Sequence, residues 1–139
     1  MGATTFTDKA TANTADEAFR NLVNEALWEY GHGGYSGTIA EKPGFTLLTP
    51  PGPYPDGVTA EKLAYHLLDC DYDNPCATRT HRRNPETNQW EVQYTPDVYP
   101  ANWTAWLQRA YSIAGSKWDE AACLQIGPNE WLFFGWASC

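Results

Sequence analysis

The chain has 139 residues, which fits a single domain able to bury about two-thirds of its unfolded surface. Its 42% hydrophobic and 19% charged residues exclude wholesale disorder, and no stretch approaches the roughly 18 apolar residues of a membrane span. Seventeen Asp and Glu against nine Lys and Arg give a net charge of -8, which disfavours general nucleic-acid binding and favours a basic protein surface or a small polar ligand as partner.

The first half of the chain predicts a strand, a long helix and a second strand. The alternating, Thr-rich stretch 4–12 is typical of a strand. Thr14 and Glu17 form a capping box for a helix over 15–30, whose apolar residues recur at the spacing of one helical face. The apolar run 45–48 lies between glycine-rich and proline-rich segments and predicts a short strand.

The second half predicts two further helices, one isolated strand and a hairpin. A threonine caps a helix over 59–69, and an asparagine caps another over 102–115. Alternation over 90–94 predicts a single strand within an otherwise turn-like region. The segments 121–126 and 131–137, joined by a Gly-Pro-Asn-Glu turn, are typical of a hairpin.

This order of elements predicts the fold class. We expect a single α+β domain with a mainly antiparallel sheet, about three helices packed on one face, and a C-terminal β-hairpin. The last strand should be internal to the sheet because its sequence WLFFGWA is apolar on both faces. The less ordered stretch 70–100 is the candidate insertion or functional lobe.

A zinc site is one hypothesis for the cysteines and histidines of that region. The candidate ligands, spaced H-x3-C-x5-C-x4-H, are His66, Cys70, Cys76 and His81. On a helix, His66 and Cys70 would share one face, as capture of a single ion requires. The spacing between the cysteines is wider than in usual zinc motifs, so free thiols and a local disulfide are the alternatives.

The glycine-rich segment after the first helix is the second candidate site. Its small, hydroxylated and cationic residues would suit a nucleotide or another small polar ligand; they are His32, Gly33, Gly34, Tyr35, Ser36, Gly37, Thr38 and Lys42. A phosphate-binding loop normally leads from a strand into a helix, whereas this segment leaves a helix. A helix stop followed by a tight return to the sheet is therefore the structural alternative.

Catalysis and nucleic-acid binding have weaker signals. No nucleophile-elbow motif occurs, so an enzyme, using either zinc or a bound nucleotide, stays an alternative to a binding protein. The basic cluster Arg79, His81, Arg82 and Arg83 is too short for the footprint that duplex binding needs. The N-terminus lacks the basic start and apolar stretch of a secretory signal, so we expect an intracellular protein.

Two segments resemble short uncharacterised proteins of tailed bacteriophages. They are EYGHGGYSGTIAEKPGF, after the first helix, and KWDEAACLQIGPNEWLFFGWAS, at the C-terminus. The resemblance carries no catalytic residues, but it implies a setting in the cytoplasm of an infected bacterium. Small acidic phage proteins of this kind often bind and disable a host protein or sequester a defence signal.

Together these patterns predict a noncatalytic accessory protein that binds a host protein or a small nucleotide-like ligand, for example a host-defence inhibitor. An enzyme is one alternative. A structural or assembly component of the virion is the other.

Overall fold

Six strands and three α-helices form the part of the chain that the computed structural model describes, which is residues 2–70, 73, 75–77, 79–94 and 99–139. In chain order they are β1 (Ala3–Thr11), α1 (Ala15–Tyr30), β2 (Phe45–Leu47), α2 (Ala60–Asp69), β3 (Arg79–Arg83), β4 (Trp90–Tyr94), α3 (Thr104–Ala114), β5 (Ala121–Gly127) and β6 (Glu130–Ser138). Short 3₁₀ helices occupy Ile39–Glu41 and Ala101–Trp103. Within the predicted lobe 70–100, residues 71, 72, 74, 78 and 95–98 lie outside the described part.

Four strands form a mixed sheet in the order β1-β6-β5-β2. The β1–β6 and β5–β6 pairs are antiparallel, and β2 runs parallel to β5. The mainly antiparallel sheet, the C-terminal hairpin and the internal position of β6 are therefore confirmed. All nine residues of β1 pair with β6, from Ala3 opposite Ser138 to Thr11 opposite Glu130.

The helices cover both faces of this sheet, so the α+β class is confirmed while the expected placement on one face is not. Leu132 and Phe134 of β6 join a core with α2 and α3, whereas Trp131 and Phe133 join a core with α1. Alternate residues of a strand point to opposite faces, so a strand that is apolar at successive positions requires cover on both sides. The sequence WLFFGWA is apolar at successive positions, and α1 covers the second face of the strand.

The ends of two helices follow the predicted capping. Thr14 Oγ1 accepts a hydrogen bond of 3.1 Å from the Glu17 N–H, and the Thr59 side chain caps α2 by accepting from the Lys62 N–H. The α3 helix begins differently, because a 3₁₀ turn leads into it and no side chain caps it. The predicted cap by Asn102 is therefore absent.

The remaining two strands form a separate antiparallel ribbon, β3–β4. Alternation predicts the strand β4, but it does not predict β3, whose run of basic residues has no apolar alternation. From His81 to Gln93, every described side chain except that of Asn84 is exposed. The ribbon therefore lies outside both hydrophobic cores.

Among the described residues, no helix is both long enough and apolar enough to cross a membrane.

Candidate functional site

The glycine-rich segment folds around the carboxylate of Glu41. That carboxylate accepts hydrogen bonds from the Tyr35 N–H at 2.8 Å, the Ser36 N–H at 3.2 Å and the Ser36 hydroxyl at 2.7 Å. Burial by itself would raise the pKa of Glu41, but the hydrogen bonds from Ser36 and Tyr35 outweigh it and lower the pKa. The segment thus supplies its own anion, in the position where a phosphate would otherwise bind the same backbone N–H groups.

The predicted ligand-binding hydroxyls are engaged within the segment. Because the Ser36 hydroxyl donates to Glu41, the Thr38 hydroxyl donates to Ser36 Oγ across 2.7 Å. Thr38 Oγ1 also accepts from the Ala40 N–H and so caps the 3₁₀ helix Ile39–Glu41. These contacts favour the structural alternative, a helix stop and a tight return to the sheet.

Gly37 attaches this segment to the sheet at the C-terminal end of β6, beside the start of β1. Its N–H donates to the Ser138 carbonyl at 2.8 Å, and its φ of +70° lies in the left-handed region. A Cβ atom at this position would lie 2.6 Å from Thr4 Cγ2 and 3.2 Å from Cys139 Cβ. Only glycine therefore combines this backbone conformation with so close an approach.

Lys42, the predicted cation of the site, is buried with 5% of its surface exposed. Its Nζ donates to the Ser116 carbonyl at 2.7 Å. Burial lowers the pKa of Lys42, and the nearby Asp119 carboxylate partly offsets this effect. The ammonium group thus joins the 3₁₀ helix to the α3–β5 connection and is not available to a ligand at the surface.

The first half of the segment has a different character. His32, Gly33, Gly34 and Tyr35 are exposed, and no atom lies within 4 Å of the place where a Cβ at Gly33 would stand. Tyr35 is 52% exposed and has a φ of +53°, an unusual conformation for a tyrosine. Of the eight predicted ligand-binding residues, these four are the exposed ones, whereas Ser36 and Thr38 are half-buried and Gly37 and Lys42 are buried.

An open groove of about 390 Å³ lies between β1, α1 and the segment 37–39. Its apolar side is formed by Phe6, Leu22, Ala26 and Ile39. The groove includes the predicted residues Gly37 and Thr38, but not Lys42.

Three carboxylates give this groove its charge. Asp8 on β1 and Glu25 and Glu29 on α1 all line it, and the two glutamates stand one helical turn apart on one side of the helix. Burial and the negative charge of Glu25 raise the pKa of Asp8. The ammonium of Lys9, which also borders the groove, pairs with Glu61. Among the described residues, no cation pairs with any of the three groove carboxylates.

The predicted zinc ligands are divided between two parts of the structure. His66 and Cys70 lie at the C-terminal end of α2, whereas His81 lies on the exposed ribbon, where its Cα pairs with that of Val92. The His66 Nε2–H donates to the Pro75 carbonyl at 2.5 Å, which only accepts. In the described ranges, no group of three or more His, Cys, Asp or Glu side chains is arranged to hold a metal ion.

The area around His66 is a buried polar and aromatic cluster. The His66 and Tyr99 rings pack at a tilt of 41° with their centroids 4.7 Å apart, and Cys76 Sγ lies 3.2 Å from Thr104 Oγ1. Burial lowers the pKa of His66, partly offset by the hydrogen bond to Pro75 and the charge of Asp69. All four cysteines are thiols, so the alternative of a local Cys70–Cys76 disulfide is not realised.

The ribbon presents an aromatic and basic surface. Its register places His81 opposite Val92 and Arg83 opposite Trp90, and residues directly opposite in an antiparallel pair share one face. Trp90 is 69% exposed and Val92 is 48% exposed. We call this set of four the ribbon face.

Sequence reasoning missed the groove and half of the ribbon. The spacing of Glu25 and Glu29 on a predicted helix was visible, but nothing local places Asp8 beside them, because β1 meets α1 only in the folded sheet. The sequence pattern that indicates the ribbon is a basic run, 79–83, separated from the alternating strand 90–94 by a turn that contains Asn and Pro, 84–89.

The fold and these two surfaces define an α+β protein with an acidic groove and an exposed ribbon. No protein family, curated protein or solved structure matches the chain.

Proposed function

We propose that this chain is a noncatalytic accessory protein of a tailed bacteriophage that binds a host protein in the cytoplasm of an infected bacterium. The groove between β1 and α1 is the binding surface in this proposal. It receives a segment of the partner that carries a lysine or arginine beside an apolar side chain.

The observation that carries the proposal is the set of groove carboxylates that no described cation pairs. Asp8 is half-buried beside Glu25, so their repulsion is a cost that the free protein bears. A cation bound between Asp8, Glu25 and Glu29 would remove this cost. The described residues hold no cluster suited to a metal ion, which makes a partner's side chain the better candidate for that cation.

The shape and the remaining lining of the groove add to this argument. Leu22, which is half-buried and lines the groove next to the carboxylates, offers apolar contact for the aliphatic stem of a lysine or arginine. Tyr30 borders the groove and is 60% exposed, so it can stack on a guanidinium.

A nucleotide is a less favourable occupant. Phosphate would meet the groove carboxylates, and the backbone N–H groups of Tyr35 and Ser36 that could bind it already donate to Glu41. The geometry therefore favours the host-protein half of the sequence-based hypothesis.

The test is capture of a partner from bacterial lysate, followed by titration of the purified partner. The variant Glu25→Lys/Glu29→Lys changes two exposed groove side chains. We expect it to weaken binding by about tenfold or more, because reversed charges repel the partner's cation. The matched control Glu17→Lys/Asp56→Lys makes the same change of charge at exposed positions outside the groove and should bind like the wild type.

Two outcomes would contradict the proposal. One is a partner whose affinity is the same for the groove variant and the wild type. The other is a thermal shift on addition of a nucleotide that the groove variant keeps, which would place a nucleotide site elsewhere.

A further inference from the structure

The ribbon and the groove carry opposite charges. The ribbon face carries Arg83 and no carboxylate, because Glu91 lies opposite Arg82 on the other face of the ribbon, whereas Asp8, Glu25 and Glu29 line the groove. In the described part of the structure, no ion pair involves Arg82, Arg83 or His81. A basic surface and an acidic groove, neither of them paired with a described group of opposite charge, thus occur in the same chain.

The ribbon also exposes apolar surface that a free ribbon has little reason to show. Two-stranded ribbons without a covered face are marginally stable in water, and exposed apolar patches rimmed by polar groups mark interaction sites. Trp90 and Val92 form such a patch, flanked by His81 and Arg83. None of the described ribbon residues lines the groove of its own copy.

We infer that the ribbon face of one copy docks into the β1–α1 groove of a second copy, so that the chain assembles head to tail. Arg83 then meets the carboxylates of Glu25 and Glu29, and Trp90 lies against Leu22, the half-buried residue on the apolar side of the groove. The contact joins two different surfaces, so each copy keeps one free groove and one free ribbon, and assembly continues into a ring or an open filament. This inference rests on the groove chemistry of the proposed function, but it names the chain itself as an occupant, which a host protein would have to displace.

Sedimentation of the purified full chain tests this. At about 100 µM and low salt we expect species larger than a monomer, and in about 0.5 M NaCl we expect the monomer, because salt screens exposed charges. The ribbon variant Arg83→Glu and the groove variant Glu25→Lys/Glu29→Lys should each lower the association constant by about tenfold or more. The control Arg20→Glu/Arg109→Glu alters two exposed arginines elsewhere and should assemble like the wild type.

Mixing supplies the decisive arm. Each variant keeps one intact surface, so a mixture of the ribbon variant and the groove variant should form complexes that neither forms alone. Trp90→Ala should weaken assembly at low salt, since it removes apolar contact and leaves the charge unchanged. Trp28→Ala, at an exposed tryptophan outside the groove and ribbon, should not.

A wild type that stays monomeric in low salt, or an assembly that neither charge variant weakens, would overturn the inference. Binding of a single-stranded oligothymidine to the ribbon, with no self-association, would also overturn it and assign the ribbon to nucleic acid. These failures are distinct from failure of the proposed function, because sedimentation contains no host protein and the capture experiment is scored on the groove alone.

Discussion

Replacement of Gly37 by alanine should destabilise the protein more than an alanine at any exposed glycine. Two costs add at this position. A left-handed φ of +70° costs an L-residue roughly 1–2 kcal/mol. The new Cβ would also lie 2.6 Å from Thr4 Cγ2, which is closer than van der Waals contact, so the Thr4 side chain must shift, at about 1 kcal/mol.

The expected loss of unfolding free energy for Gly37→Ala is therefore about 2–3 kcal/mol, which for this length lowers Tm by roughly 6–10 °C. Urea denaturation at constant m-value measures the free energy, and a thermal scan measures Tm. A double-mutant cycle with Thr4→Ala separates the two costs, because truncation of Thr4 removes the atom that the new Cβ would meet. The cycle should give a coupling of about 1 kcal/mol.

Two other glycines serve as matched controls. Gly57 has a φ of +78°, and a Cβ added there would meet no atom within 4 Å, so Gly57→Ala should show the conformational cost alone. Gly33 has neither a positive φ nor a near neighbour, and Gly33→Ala should change stability by less than about 0.5 kcal/mol. If Gly37→Ala cost no more than Gly57→Ala, the close attachment of the segment to the sheet would be refuted.

Three further predictions follow from titratable side chains. Because burial and Glu25 raise the pKa of Asp8, the free energy of unfolding falls as pH rises through that pKa. Asp8→Asn should therefore stabilise the protein by about 0.5 kcal/mol at pH 7 but not at pH 3. Urea denaturation at the two pH values measures this difference. Burial lowers the pKa of His66, so the contribution of His66 to stability is present above its unfolded pKa of 6.5 and is lost as pH falls. His66→Gln should remove this part of the pH dependence of Tm. Cys139 is the exposed cysteine, whereas Cys123 is buried and its pKa is raised to about 12. A thiol reagent should therefore modify the native wild type once and the native Cys139→Ser variant not at all. Rapid labelling of Cys123 in the native protein would contradict its burial.

The elements that sequence predicted well are those whose signal is local. The helix over 15–30, capped by Thr14, matches α1 at Ala15–Tyr30, and the hairpin matches β5–β6 within a residue or two. Capping and periodicity act over a few residues, so one sequence suffices to detect them.

The elements and sites that depend on distant partners were predicted less well. Helix α1 covers the face of the sheet opposite α2 and α3. The need for this cover comes from the apolar residues on both faces of β6, and the sequence of α1 alone does not indicate it. The hydroxyls of the glycine-rich segment had the right chemistry for a ligand, but Glu41 lies close enough in the fold to take their hydrogen bonds. A local pattern identifies donors, and only the fold shows which acceptor receives them.

Several buried or half-buried polar groups of the described fold have partners within the chain. Lys42 reaches the Ser116 carbonyl, His66 reaches Pro75, and the Glu41 carboxylate accepts three hydrogen bonds. The half-buried Asp8 is different, because its described surroundings add a second negative charge.

Natural proteins tolerate such a local conflict chiefly where function requires it, since stability is lost there without any gain in the free protein. The same reasoning applies to Trp90 and Val92, which are exposed together on one face of the ribbon and form an apolar patch. A segment that is both cationic and apolar would satisfy the groove, and an acidic apolar surface would satisfy the ribbon face. In the proposed function a host protein would supply the first of these, and in the proposed assembly a second copy of the chain would supply both. The relative affinities of the two proposed occupants would then decide which of them fills the groove.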